Sequence, residues 1–231
     1  MDLAWFSTGI YSVSDAARLT GVSAGRIRRW LRGYHYRAGD KQRALPPLWR
    51  GQWPPIHGNL ALGFQDLIEI RFVDAFLKQG ASWAAIHRAR ERAAELFQVS
   101  HPFCTNRFVT DGRQFFVQAE PEQPSLLEIN SPQQVFTQIM KPFIRELEFK
   151  DGSGVIRWWP LGDDRAVVLD PERNFGRPIT SPGAVPTEVI ANAPNSARPE
   201  GLGQLAQWYE ISEKEVRDAI AFETQPTGGR S

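Results

Sequence analysis

Cysteine is almost missing from this chain. Cys104 is the one thiol in 231 residues, so no internal disulfide can form, as expected of a protein kept in a reducing cytoplasm. Long hydrophobic runs are missing too. No apolar stretch approaches the roughly 20 residues that a membrane-spanning helix needs. The opening Met1-Asp2-Leu3-Ala4-Trp5-Phe6 lacks the basic-then-apolar order of an export signal, so neither a membrane nor a secretory role is expected. There is no glycine-rich phosphate loop and no nucleophile elbow. His101 and Cys104 lie close together, but His35, His57 and His87 supply no second pair at ligand spacing, so no metal and no cofactor is expected. Asp163 and Asp164, with Asp170, read as a solvated hairpin. An enzyme is the least favoured class.

What remains is a folded chain with uneven charge. A hydrophobic share of 42% against 23% charged excludes a disordered chain. Residues 1–58 carry nine basic residues against three acidic ones, or +6, which leaves −5 for the rest of a chain whose total is +1. A basic start joined to an acidic remainder suggests DNA at one end and a different partner at the other.

The apolar spacing predicts two short helices near the start. Ser14 is expected to cap Asp15–Thr20, Gly21-Val22 to turn, and Ser23 to cap a helix from Ala24 to about Gly33. Val13, Ala16, Ala17, Leu19, Val22, Ile27, Trp30 and Leu31 give the pair one inner face. Residues 34–63 read as irregular, with a two-stranded wing. Phe64–Lys78 is the clearest helix, and Ser82 caps another to about Phe97, with Leu96 inward and Arg88, Arg90, Glu91 and Arg92 on its polar side. Asp111-Gly112 between Arg107–Thr110 and Gln114–Val117 signals a hairpin. A short strand at Leu126–Ile129 and a helix from Pro132 to about Leu147 follow, then strands at Phe149–Trp159 and Arg165–Leu169. Helices are expected at Pro186–Ala191, Gly201–Trp208 and Ser212–Phe222, the last with a Ser212/Glu215 capping box. The fold class is α+β. Residues 1–97 form a first domain, 98–165 an α+β middle section, 166–223 a C-terminal helical domain, and 224–231 a loose tail.

The second helix has the features of a DNA reader: a polar outer face rich in arginine above an apolar inner face. Arg26, with Ser23, stands nearest the helix start and is the first choice for base edges. Arg28 is a further candidate on the same helix. Arg29 and Arg32 suit phosphate contacts or structural roles, and Arg37, Lys41 and Arg43 would grip the backbone from the wing. A plain solvated basic helix is the alternative, and the order of cap, turn, cap and basic helix weighs against it.

Two resemblances sharpen this. Tyr11-Ser12-Val13-Ser14-Asp15-Ala16-Ala17-Arg18-Leu19-Thr20-Gly21-Val22-Ser23, with Arg28-Arg29-Trp30, resembles the opening of MerR-family regulators. Leu62–Ile70 and Gly80–Ile86 resemble that family's second helix pair. The resemblance implies a winged helix-turn-helix that binds double-stranded DNA, as a dimer on paired half-sites. Val167–Glu172, Phe175–Ile179 and Val185–Ile190, with Leu202–Tyr209 and Val216–Phe222, resemble the small three-helix domain of the DUF 433 family found in VapB-type antitoxins.

Together the two imply an antitoxin and autorepressor. It would bind operator DNA, neutralise a PIN-like ribonuclease toxin, and work as a homodimer or within a higher toxin–antitoxin assembly. A toxin site of clustered carboxylates could be blocked by an arginine through bidentate pairing, and Arg173, Arg177, Arg198 and Arg230 are the candidates. The alternative is a stand-alone MerR-like regulator whose middle section senses a small ligand. A third reading is a pure interaction module.

Overall fold

The computed structural model describes residues 8–39, 41–109, 136, 140, 143, 145–150, 154–194, 196 and 201–225. The chain is of the α+β class, and its two compact units divide near residues 141 and 142.

The first unit begins with β1 (Tyr11–Ser12), α1 (Val13–Thr20) and α2 (Ala24–Arg32). Ser12, not Ser14, caps α1. Its backbone is still extended at the end of β1, and it forms a capping box with Asp15: the Asp15 N–H donates to Ser12 Oγ at 3.1 Å and the Ser12 N–H to Asp15 Oδ2 at 3.0 Å. Gly21, in the left-handed region, closes α1, and Ser23 caps α2 as its sequence position predicts. Val13, Ala16, Leu19, Val22, Ile27, Trp30 and Leu31 are all buried, so the two helices share the expected inner face.

A sharp crossover follows. Gly33 has φ 71°, and a Cβ there would overlap the Leu45 carbonyl oxygen, so only glycine fits. The chain then forms an antiparallel hairpin of β2 (Tyr34–Ala38) and β3 (Lys41–Leu45). It returns through buried Leu48 and Trp49 to β4 (Ala61–Leu62), which pairs with β1.

Helix α3 (Phe64–Lys78) runs through the middle of the unit. Leu67, Ile68, Ile70, Phe72 and Val73 are fully buried along it. Helix α4 (Trp83–Phe97) is capped by Ser82, whose Oγ accepts from the Ala85 N–H at 3.1 Å. Two side chains on α4 depart from the helical-wheel expectation. Arg90 is buried, and Leu96 is exposed. Arg90 faces inward because a carboxylate on α3 awaits it, and Leu96 lies on the opposite side of the last turn.

Pro102–Cys104 forms one 3-10 turn, and residues 106–109 are helical where a strand is expected. Thr105 decides this: its Oγ1 accepts from the Phe108 N–H at 3.1 Å and starts a helical turn. The turn inserts Phe108 among Phe72, Phe76, Phe103 and Phe136, with ring centroids 4.4 Å apart for Phe103 and Phe108. The hairpin expected around Asp111-Gly112 and the strand at Leu126–Ile129 lie outside the described residues, as does most of the Pro132–Leu147 helix.

In the second unit the expected Phe149–Trp159 strand is instead a hairpin, β5 (Leu147–Lys150) with β6 (Gly154–Trp158). The apolar alternation breaks at residues 150–154, and Asp151-Gly152 carries the same turn signal as Asp111-Gly112, so the sequence itself marks the hairpin. β7 (Val167–Val168) pairs with β8 (Ile179–Thr180), and reciprocal Trp158–Leu169 backbone bonds of 3.0 and 2.8 Å tie β6 to β7. Asp170 is not the solvated residue expected. It is buried and accepts from Arg157 Nε at 2.9 Å, a bond that raises the already high pKa of that guanidinium.

Three helices complete the unit: α5 (Thr187–Ala191), α6 (Gly201–Tyr209) and α7 (Glu213–Thr224). Ile190, Leu205, Ala206, Val216 and Ala219 form their common core. The capping box of α7 forms as predicted, with the Glu215 N–H donating to Ser212 Oγ at 3.2 Å and the Ser212 N–H to Glu215 Oε2 at 2.9 Å. Ser212→Ala is therefore expected to cost about 1 kcal/mol in a denaturant titration of the second unit. A cost below a few tenths would show that the cap carries no stability.

Two buried carboxylates attach α7 to the strands. Asp218 accepts from the Ala166 N–H at 2.9 Å, from Arg165 at 3.0 Å and from Lys214 at 3.2 Å. Glu215 accepts from the Gly183 N–H at 2.8 Å. Burial alone would push both carboxyls up. The Ala166 N–H with Arg165 and Lys214 outweighs it at Asp218, and Ser212 with Gly183 outweighs it at Glu215, so both sit below the ordinary carboxylate range. A depressed folded value gives stability that is present above the unfolded value, about 4, and lost as pH falls through the folded one. The second unit is thus expected to lose stability in acid. Asp218→Asn should flatten that acid limb in melts taken from neutral pH downward, and an unchanged limb would remove Asp218 from this role.

Candidate functional site

Four arginines project from α2, and their surroundings differ. Arg26 is half-buried: its Nη1 lies 2.7 Å from Asp74 Oδ1 on α3, as an ion pair without an aligned hydrogen bond, and its guanidinium stacks 4.9 Å over the buried Trp30 ring. Lys78 meets the other oxygen of Asp74 at 3.2 Å. Arg29 is exposed, with its guanidinium 6.0 Å over Tyr34 at the start of the hairpin. Arg32 Nη2 donates to the Gly58 carbonyl at 2.8 Å. Arg28 is exposed and has no hydrogen bond or ion pair among the described residues. Ser23 is spent on the cap, its Oγ accepting from the Arg26 N–H at 3.4 Å.

The hairpin beside α2 adds more positive charge. Its register sets Tyr36 opposite Arg43 and Arg37 opposite Gln42. Side chains alternate along a strand, so Arg43 shares a face with Tyr34 and Tyr36, and Arg37 leaves from the other. Both tyrosines are 37% exposed, unusual for paired aromatics, and their ring centroids are 6.0 Å apart. Arg37 and Arg43 are exposed. Lys41 closes the hairpin opposite Ala38. The α2–hairpin surface is therefore positive and partly aromatic, with no acidic side chain among its described residues.

The polar cluster under this surface carries little signal in the sequence. Asp66 on α3 is fully buried and accepts from Trp49 Nε1 at 2.8 Å, from the Gln52 N–H at 2.9 Å and from the Gly63 N–H at 2.8 Å. His101 Nε2 lies 2.8 Å from its Oδ1. One turn on, Glu69 pairs with Arg90 Nε at 3.1 Å and accepts from the Phe103 N–H at 3.0 Å. Arg90 also donates to the carbonyls of Leu48 and Ser100 and stacks 5.5 Å over Trp49. Burial pushes the Glu69 carboxyl above its ordinary range, against the pull of Arg90, His101 and the Phe103 N–H. Burial also pushes the Cys104 thiol well up, with Glu69 and Asp66 adding to it, which leaves it unreactive. His101 and Cys104 are absorbed here. His101 meets Asp66, and Cys104 Sγ donates to the Gln65 carbonyl at 3.3 Å. The cluster binds the loops 48–63 and 98–104 to α3 and α4, and so holds the outer basic surface in place.

In the second unit, Arg173 is partly buried, and Arg177 is exposed and paired with Glu188 at 3.2 Å. Arg198 and Arg230 lie outside the described residues. Among the described residues no helix is long and apolar enough to cross a membrane.

These features define a mixed α+β protein with a first unit whose basic helix and hairpin are exposed, and a second unit in which α5, α6 and α7 share one core. The chain is similar along nearly its whole length to a Mycobacterium tuberculosis protein named "Putative antitoxin VapB45", at 23% identity over 229 residues, covering 93% of this chain and 94% of that one. It shares its fold with the X-ray crystal structure of Rv2018 from Mycobacterium tuberculosis, with a TM-score of 0.64 at 19% identity, covering 91% of this chain and 96% of that one. No family model matches the chain. The likeness to the antitoxin-named protein extends over both units.

Proposed function

We propose that this chain is the antitoxin of a type II toxin–antitoxin pair. It binds and neutralises a PIN-like ribonuclease toxin in the cytoplasm and represses its own operon as a homodimer or a larger toxin–antitoxin assembly. The observation that carries the toxin half is the end-to-end likeness to a protein named as an antitoxin. A match covering both units supports a shared role better than a match to one unit would.

The DNA half rests on geometry. A capped helix, a three-residue turn and a second capped helix precede a hairpin, the order of a MerR-like winged helix-turn-helix. Ser23, Arg26, Arg28, Arg29 and Arg32 belong to the reading helix, and Arg37, Lys41 and Arg43 to the wing. The three-helix DUF 433-like domain takes the toxin, with Arg173, Arg177, Arg198 and Arg230 as the candidates for pairing with the toxin's carboxylates.

The test is co-expression of the tagged chain with the product of its neighbouring gene. A co-purifying complex that no longer cleaves RNA supports the proposal. A chain that purifies alone, while the neighbour's product is active and unbound, removes the toxin half and leaves a simple regulator.

A further inference from the structure

Of the four arginines on α2, three are engaged within the fold. Arg26 is held by Asp74, Arg29 leans on Tyr34, and Arg32 bonds the Gly58 carbonyl. Arg28 and Arg29 are both exposed without a hydrogen bond or ion pair among the described residues, and of the two Arg28 also has no ring contact there.

We infer that Arg26 and Asp74 form a positioning latch, and that Arg28 is the arginine of α2 that discriminates between DNA sequences. This rests on the DNA-binding reading of the first unit and goes further by dividing the roles.

The latch follows from what surrounds Asp74. It is a buried carboxylate on the central helix α3, with a side-chain exposure of 7%. Leaving it unpaired would strand a charge in the interior, so the pair with Arg26 is hard to give up. Lys78 alone, at 57% exposure, would not replace it. Trp30 sandwiches the same guanidinium from below, and Trp30 itself packs 6.0 Å from Trp83 of α4. Arg26 thus fixes the first turn of α2 against both α3 and α4. An arginine so held cannot also present its fork to a base edge without breaking the pair.

Arg28 carries no such cost. It lies two residues further along α2, outside the buried stripe of Ile27, Trp30 and Leu31. A guanidinium there, unpaired among the described residues, can make the bidentate contact to guanine O6 and N7 that is the commonest specific contact in the major groove.

The experiment uses the full chain and two labelled duplexes, its own promoter region and an unrelated sequence of equal length, with affinities read by fluorescence polarisation at low temperature. The variants are Arg28→Ala, Arg26→Lys, Arg26→Ala, Asp74→Ala and the Arg26→Ala/Asp74→Ala double. Circular dichroism checks that each is folded.

Arg28→Ala is expected to lower the preference for the promoter about tenfold or more, with a small change on the unrelated duplex. Arg26→Lys keeps the ion pair and should keep the preference, a rescue that a bidentate base reader would not give. Asp74→Ala should behave like Arg26→Ala, and the double no worse than either, because both remove one latch. The inference is overturned if Arg26→Lys loses the preference while Arg28→Ala keeps it, or if Asp74→Ala, which frees Arg26, leaves binding intact while Arg26→Ala abolishes it. A parent chain that binds neither duplex overturns the DNA reading itself, and the inference with it.

Discussion

Asp66→Ala is expected to unfold the first unit at temperatures where the parent is fully folded. The carboxylate is fully buried and serves Trp49 Nε1 and the Gln52 and Gly63 N–H groups, and His101 Nε2 stands 2.8 Å from it. Alanine leaves all of them facing an apolar gap too small to hydrate each one. A buried donor without a partner costs about 1–3 kcal/mol, so the total is about 5 kcal/mol or more. That rivals the ~5–15 kcal/mol that holds a typical domain together. The fall in melting temperature should be about 15–25 °C for a unit of this size. Asp66→Asn keeps one acceptor oxygen and should fall in between. A shift under about 5 °C for the alanine variant would mean that the cluster is not what secures loops 48–63 and 98–104 to the helices.

The second large effect is on DNA. Arg29, Arg37 and Arg43 are exposed, and the register splits Arg37 and Arg43 between the two faces of the hairpin. If each neutralises one phosphate, the triple variant Arg29→Ala/Arg37→Ala/Arg43→Ala should lower the slope of log affinity against log salt by about 2.7. Between about 50 mM and about 200 mM salt, the fall in affinity would then shrink by about 40-fold. Folding should be nearly unchanged, since surface substitutions away from networks cost about 0.5 kcal/mol or less. Polarisation titrations at several salt concentrations measure the slope. An unchanged slope would remove the hairpin from the contact surface.

The sequence is legible where one physical rule acts alone. The α3 and α4 bounds follow from 3.6-residue periodicity and the Ser82 cap, and α7 starts where Ser212 and Glu215 indicate. Rules fail where two compete. Ser12 and Ser14 both suit a cap, and only the extended end of β1 decides for Ser12. Residues 106–109 have strand-like composition, but the aromatic nest around Phe108 and the Thr105 hydroxyl draw them into a helical turn.

The exposed arginines of the candidate site could be read from charge alone. Their differing contacts within the fold could not. Asp74, 48 residues after Arg26, has no local mark as its partner. A faint signal did exist for the buried cluster. Asp66 and Glu69 sit three residues apart on α3, interleaved with Leu67, Ile68 and Ile70, where acids gain nothing from solvent. Their partners Trp49, Arg90 and His101 come from three separate segments, and only the tertiary fold brings them together.

The central claim is neutralisation of a toxic partner, and growth rescue tests it most directly. The neighbouring gene is induced alone and then together with this chain in a common host, and colony-forming units are counted. The proposal predicts growth arrest from the neighbour alone and full recovery with this chain. It also predicts that a chain carrying the Arg29→Ala/Arg37→Ala/Arg43→Ala change still rescues, because the proposal assigns toxin binding to the other unit. Arrest that persists in the presence of the folded parent chain would contradict the claim.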